Sequence, residues 1–301
     1  MDYVLVIVAP GQGAQTPGFL SPWLEIPEFR ARISAWSEIA SLDLIAYGTT
    51  ADADEIRDTA VAQPLLVAAA LASFEVLGLT PDLVAGHSVG ELAAAAIAGV
   101  MSTEQALALV RERGQAMAKA AAVTETGMLA VLGGAEDEVL AAVDRHGLTP
   151  ANVNGAGQIV AGGTLERLDA FKADPPAKAR LIPLSVAGAF HTAHMAPAVD
   201  HLRQAASEIT PGDPAVRLLS NADGAVVATG AQFVERLINQ VANPVRWDAC
   251  MATMAAEGVT AMIELLPGGT LTGLARRGLP GVKTVALKTP DNLDAAREVL
   301  K

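Results

Sequence analysis

Val4 to Val8 reads VLVIV, an unbroken apolar run closed by Pro10-Gly11. A run this short and β-branched predicts a strand buried on both faces and followed by a loop. Pro27 to Ala46 has helical character, and Thr59 to Leu77 is a second, apolar helix with Gln63-Pro64 near its start. Leu83 to Ala85 predicts another short buried strand. Gly86-His87-Ser88-Val89-Gly90 follows at once, and an Ala-rich helix runs on to Ala98. Ser102 with Gln105 three residues later forms a capping box, which opens a helix running to about Ala122.

From Thr124 the rhythm changes. Met128 to Leu132, a stretch near Asn152, Ile159 to Ala161 and Arg180 to Val186 read as strands; Glu136 to Arg145 and Leu165 to Lys172 read as helices. The order β-α-β-β-α-β is a ferredoxin-like pattern. We assign residues 124–189 to a small α+β subdomain, inserted into a larger α/β unit of residues 1–123 and 190–301. The larger unit resumes with helices at Pro197–Glu208, Ala231–Val241 and Trp247–Glu257. Its strands are Val216–Leu219 and Ala261–Glu264, the latter meeting a Pro267-Gly268-Gly269 turn.

Composition narrows the function. The 301 residues are 51% hydrophobic and 18% charged, which excludes a disordered chain and gives a length for about two domains. A net charge of −12 excludes the basic stripe of a nucleic-acid binder and argues against anionic membranes. One cysteine, Cys250, rules out an internal disulfide or a Cys-rich metal site, and no metal or cofactor is implied. Cys250 shares a helix with Trp247, Met251 and Met254 and reads as core. The first apolar run lacks the length and positive flank of a signal peptide, and Leu92 to Met101 is too short to span a membrane. A cytoplasmic location follows as the expectation.

Three features carry chemistry. Gly86-x-Ser88-x-Gly90 between a strand and a helix is the context of a nucleophile elbow, although a helix-capping serine in a Gly-rich turn reads the same way. Gly11-Gln12-Gly13 after the first strand lacks the Lys-Ser/Thr of a phosphate loop, and it could lend a backbone N–H to an oxyanion. Arg113 lies at the centre of the apolar stripe made by Ala106, Leu109, Val110, Met117 and Ala120. A guanidinium facing the core needs a partner: an internal Asp or Glu, or a carboxylate supplied by the substrate. Among His87, His146, His191, His194 and His201, His191 is the best placed base, because it follows a strand as the chain re-enters the larger unit.

Taken in order, GQGAQ, GHSVGE at 86–91, Arg113, GAFH at 188–191, Gln240 and NPVRW at 243–247 resemble the bacterial malonyl-CoA:acyl-carrier-protein transacylases. The acyltransferase domains of polyketide synthases share the set. The resemblance covers essentially the whole chain and implies a hydrolase-like α/β core with a ferredoxin-like insertion. It implies Ser88 as nucleophile, His191 as base and the Gln240 backbone carbonyl as the group that orients it. The Gln12 and Val89 amides would form the oxyanion hole, and Arg113 would hold the malonyl carboxylate. Phe190 would disfavour an α-methyl branch, and Asn152 and Asn154 would stand near the cleft.

The implied partners are malonyl-CoA and phosphopantetheinylated acyl carrier protein, in fatty acid and possibly polyketide synthesis. Two positions depart from the family pattern: Gly188, where malonyl-selective polyketide domains often have His, and Leu266-Pro267-Gly268-Gly269. Because such carriers are acidic, a basic docking patch is expected, with Arg276, Arg277, Lys283 and Lys288 as candidates. A serine esterase is the main rival reading. It would need an acid between nucleophile and a late histidine, and it gives Arg113 no task.

Overall fold

The computed structural model describes residues 3–155 and 157–299. The predicted first strand, β1 (Leu5–Ala9), is the centre of a parallel sheet, with β2 (Leu83–Gly86) and β7 (Arg217–Leu218) on one side and β9 (Ala261–Glu264) and β10 (Lys283–Ala286) on the other. Leu5, Ile7 and Ala9 enter one hydrophobic cluster, and Val6 and Val8 enter another across the sheet. Burial on both faces is why the run has no polar alternation.

Helix α3 (Thr59–Leu77) has the predicted bounds. It is long and apolar enough to cross a membrane, yet most of it is buried inside the fold. The helix predicted over Pro27–Ala46 is instead two. Ser41 turns left-handed (φ 50°) and ends α1 (Pro27–Ala40), and the Asp43 side chain caps α2 (Leu44–Thr49) by accepting the Ala46 N–H at 2.9 Å. Helix α4 (Gly90–Ile97) leads into α5 (Thr103–Ala121), whose Ser102–Gln105 capping box makes both of its hydrogen bonds.

A second sheet is built mainly from residues 126–183. Strand β3 (Thr126–Gly133), α6 (Glu136–Arg145), β4 (Thr149–Gly155), β5 (Gln158–Thr164), α7 (Leu165–Ala173) and β6 (Ala179–Pro183) follow in chain order. The four strands lie in the antiparallel order β6-β3-β5-β4, which is the ferredoxin-like arrangement, over a cluster that includes Val131, Val143 and Phe171. One strand comes from outside this stretch: β8 (Val245–Arg246) pairs parallel to β4, with Asn152 opposite Val245. Backbone hydrogen bonds therefore tie the second sheet to the chain that follows α9. Helices α8 (Ala196–Ala206), α9 (Gly230–Gln240) and α10 (Trp247–Ala256) lie close to their predicted bounds. The sequence reading left α11 (Thr270–Gly278), β10 and α12 (Asn292–Glu298) unassigned; β10 is a half-exposed edge strand with a weak apolar pattern.

Loss of a capping oxygen costs a helix about 1 kcal/mol. Ser102→Ala is accordingly expected to lower the unfolding free energy by that amount, read as a lower urea midpoint with an unchanged denaturant slope. A midpoint equal to that of the parent would show that the box adds nothing to α5.

Candidate active site

Strands β1 and β2 run parallel with Ala9 opposite Gly86, so the loops at their carboxyl ends meet. The turn after β2 is sharp: Ser88 has φ 54°, a left-handed conformation that costs a non-glycine residue about 1–3 kcal/mol. Its flanks must be bare. A Cβ on Gly86 would overlap the Gly90 carbonyl, and one on Gly90 would overlap the Ala9 carbonyl oxygen. The turn is clamped from the side by Asn221, just past β7. The Asn221 Oδ1 accepts the Ser88 N–H at 2.8 Å, and its Nδ2 donates to the Gly86 carbonyl at 2.7 Å.

Ser88 Oγ lies 2.7 Å from His191 Nε2. His191 Nδ1 lies 2.8 Å from the Gln240 backbone carbonyl, so Nδ1 carries the proton and Nε2 is free to accept one. Among the described residues no carboxylate takes part in this pairing. His191 is also left-handed, at φ 59°, and its N–H is held by the Val241 carbonyl at 3.0 Å. Gly188 has a steric reason: a Cβ there would sit 2.8 Å from that of Ala121.

Arg113 is 1% exposed. Its Nη1 donates to Gln63 Oε1 and its Nη2 to Gln240 Oε1, both at 2.7 Å; Nη2 is also 3.5 Å from Ser88 Oγ. Arg113 Nε has no hydrogen-bond partner among the described residues. The guanidinium is thus bonded to neutral amides and not paired directly with an acid. An internal acid is nonetheless one side chain away: Gln240 Nε2 donates to Glu91 Oε2 at 2.7 Å and to the Ser88 carbonyl at 3.0 Å. The internal acid that the sequence reading offered as a partner is thus reached only through the Gln240 amide.

Burial governs the titration of the site. It lowers His191 to about 3, helped by the Arg113 charge, so the imidazole is neutral at pH 7 and able to take a proton. It lowers Arg113 to about 10 against the pull of Glu91, which leaves the guanidinium charged. It raises Glu91 to about 8, opposed by the Asn221 N–H, the Arg113 charge and the Gln240 amide. Burial also raises the Cys250 thiol, which is fully enclosed and donates to the Ser220 carbonyl; the reading of this residue as core holds.

Ser88 and His191 face a cavity of about 80 Å³, walled by Met117, Met128, Leu184 and Phe190 and edged by Gln12, Gln63 and Asn152. A larger hollow of about 630 Å³ adjoins it, sharing Leu184 and Val186 and flanked by Asp54, Arg57 and Asp58. Neither the Gln12 nor the Val89 backbone N–H has a protein acceptor among the described residues. Asn154 stands behind the cavity wall, where its Oδ1 lies 2.9 Å from His87 Nε2. The other histidines lie elsewhere: His146 beside Asp174 and Phe171, and His201 beside Glu112. The four C-terminal cations lie on and around α11 and β10. Lys283 opens β10 and Arg276 reaches Thr284, whereas Lys288 lies beyond the other end of that strand.

Three residues escaped the sequence reading of the site. Gln63 and Glu91 each had a signal, a polar side chain inside an otherwise apolar helix. Asn221 had only its place after a short strand.

The acyl transferase domain family matches residues 6–290. A malonyl CoA-acyl carrier protein transacylase of Mycobacterium tuberculosis is 52% identical over 297 residues, which is 97% of this chain and 98% of that protein. A crystal structure of the M. tuberculosis transacylase superposes with a TM-score of 0.94 at 51% identity, covering 98% of this chain and 99% of that one. A malonyl-transacylase solved in complex with its type II polyketide-synthase acyl carrier protein superposes with a TM-score of 0.91 at 32% identity, covering 97% and 98%.

Two outcomes follow from the geometry. Gly90→Ala forces a Cβ into a strand carbonyl, and overpacking against backbone is expected to cost at least about 3 kcal/mol in urea unfolding. A variant as stable as the parent would contradict the close approach. Nitrogen-15 NMR of His191 is expected to show a neutral ring from pH 8 down to pH 5, since its folded value is about 3. The unfolded chain protonates this group near 6.5, so its contribution to stability is complete above that pH and is lost as pH falls toward 3. A midpoint between pH 6 and 7 would contradict the assignment.

Proposed function

The chain belongs to the acyl transferase domain family, and from that premise we propose how it moves a malonyl group from malonyl-CoA to the phosphopantetheine thiol of acyl carrier protein. The observation that carries the reading is one hydrogen-bonded line, Ser88 to His191 to the Gln240 carbonyl, with a buried guanidinium 3.5 Å from the nucleophile. A Ser–His pair serves any acyl transfer. The enclosed positive charge beside it selects an acyl group that carries a carboxylate.

Malonyl-CoA enters with its carboxylate toward Arg113 and its thioester carbonyl over Ser88. His191 Nε2 takes the Ser88 proton as Oγ bonds to the carbonyl carbon. The oxyanion rests on the Gln12 and Val89 N–H groups. The C–S bond then breaks, the CoA sulfur leaves with the proton from His191, and a malonyl-Ser88 ester remains. In the second half, the phosphopantetheine thiol gives its proton to His191 and attacks the ester carbonyl. The C–O bond breaks and Ser88 recovers the proton, so the kinetics are ping-pong.

The substrate carboxylate also assists the base. Arg113 depresses His191, and a docked anion offsets that charge, so the imidazole gains basicity once malonyl is in place. Phe190 and the methionines leave a narrow cavity, which crowds an α-methyl branch and holds water from the ester. The adjoining hollow is the route for the pantetheine arm of either thiol partner. Asn152 lines the cleft, and Asn154 sets its wall through His87. We treat residues 124–189 as the inserted small domain and 1–123 with 190–301 as the large one, and place the protein in the cytoplasm with fatty acid synthesis. Polyketide synthesis is a second outlet for the same product.

Incubation with malonyl-CoA alone, followed by intact-mass measurement, is expected to show a malonyl adduct that Ser88→Ala lacks. Free malonate without an adduct would mark a hydrolase. Arg113→Ala removes one partner of a desolvated ion pair, a loss of about 2–5 kcal/mol, or roughly 30- to 4,000-fold. That loss is expected in kcat/KM for malonyl-CoA but not for acetyl-CoA, and an equal loss for both would sink the carboxylate assignment.

A further inference from the structure

Glu91 is a buried acid that the transfer chemistry leaves unused. It lies in the first turn of α4, a helix otherwise made of Gly, Ala, Leu and Ile, and is 1% exposed. Both of its oxygens accept N–H groups: Oε1 from the Asn221 backbone at 2.6 Å and Oε2 from the Gln240 side chain at 2.7 Å. Both contacts use the carboxyl group as acceptor, which the ionised form serves best.

The Gln240 amide is oriented by this contact. With Nε2 turned to Glu91 and to the Ser88 carbonyl, its Oε1 faces Arg113 at 2.7 Å. We propose that Glu91 is a positioning residue for acyl-group selection: by holding the Gln240 amide in one orientation, it presents an acceptor to Arg113 and fixes the guanidinium where the substrate carboxylate docks. The link runs carboxylate, amide, guanidinium, and no direct Glu91–Arg113 ion pair is needed.

The isosteric change Glu91→Gln separates this role from a structural one. The Asn221 N–H belongs to the backbone and cannot turn over, so the new amide keeps its oxygen there and the elbow clamp survives. Its NH₂ then faces Gln240, which must either oppose donor to donor or rotate. Rotation puts the Gln240 NH₂ against the Arg113 Nη2, and the guanidinium loses its acceptor. The Gln240 backbone carbonyl, and with it the His191 contact, is untouched.

This proposal rests on the malonyl-transfer reading, and the test keeps the two apart. Acyl-enzyme formation from malonyl-CoA and acetyl-CoA is measured at about pH 9, above the Glu91 value of about 8, for the parent, Glu91→Gln, Arg113→Ala and the double variant. In the parent background, Glu91→Gln is expected to lower the malonyl-to-acetyl ratio of kcat/KM by at least about tenfold. In the Arg113→Ala background the ratio is expected to stay within about threefold, because the residue through which Glu91 acts is gone. Equal loss for both substrates, or the same fall in ratio in both backgrounds, overturns the proposal. Should Glu91→Gln fail to fold, Gln240→Met breaks the link at its other end and is expected to lower the ratio likewise; an unchanged ratio again overturns it. A parent enzyme that takes no malonyl group defeats the transfer reading itself, and the proposal falls with it.

Discussion

One buried positive charge constrains the rest of the site. An isolated guanidinium in an apolar helix face would carry a desolvation penalty of several kcal/mol. Arg113 offsets it with two short bonds to amide oxygens, each worth more than a neutral hydrogen bond because the donor is ionised. Neutral amides satisfy the N–H groups without cancelling the charge. A direct carboxylate would have cancelled it and left an arriving anion with nothing to pair. Placing Glu91 one amide away gives the Gln240 amide an acceptor while the guanidinium keeps its capacity for a substrate carboxylate.

Gln240 is where these demands meet. Its backbone oxygen orients the imidazole, its side-chain oxygen holds Arg113, and its nitrogen reaches the Ser88 carbonyl, Glu91 and Asn221. One residue at the end of α9 thus ties the base, the charge and the nucleophile turn into a single rigid group. Rigidity is needed because both reacting residues hold left-handed backbones, and the strain persists only where the surroundings over-determine it. The bare glycines at 86 and 90 and the Asn221 clamp supply that at Ser88. At His191 the Val241 carbonyl and the turn closed by Thr192 supply it.

Both sheets contribute to this arrangement. Strand β8 leaves the end of the Gln240 region and pairs with β4 of the small sheet, and Asn154 of β4 holds His87 next to the nucleophile. Leu184 and Val186, which leave the small sheet, close one wall of the cavity. The cleft is therefore built from both sheets, and its width is set by contacts between them.

The sequence by itself determined the elements whose cause is local. The VLVIV run, the Ser102–Gln105 box, the helix bounds at Thr59–Leu77 and Glu136–Arg145, and the Gly-flanked serine follow from periodicity, capping and sterics within a few residues. So did the inward face of Arg113, which helical spacing alone fixes. The short edge strand β10 and the pairing of β8 with β4 depended on packing against distant segments, whereas the split at Ser41 is a local left-handed turn and cap that apolar periodicity does not register. The tertiary structure alone decided what Arg113 meets. Gln63, Gln240 and Glu91 lie 50, 127 and 22 residues from it in sequence, and only the parallel alignment of strand ends brings them to one point. A polar residue in an apolar helix announces that a partner exists. Which partner it is, and whether it cancels the charge or leaves it open, depends on which elements the sheet places side by side.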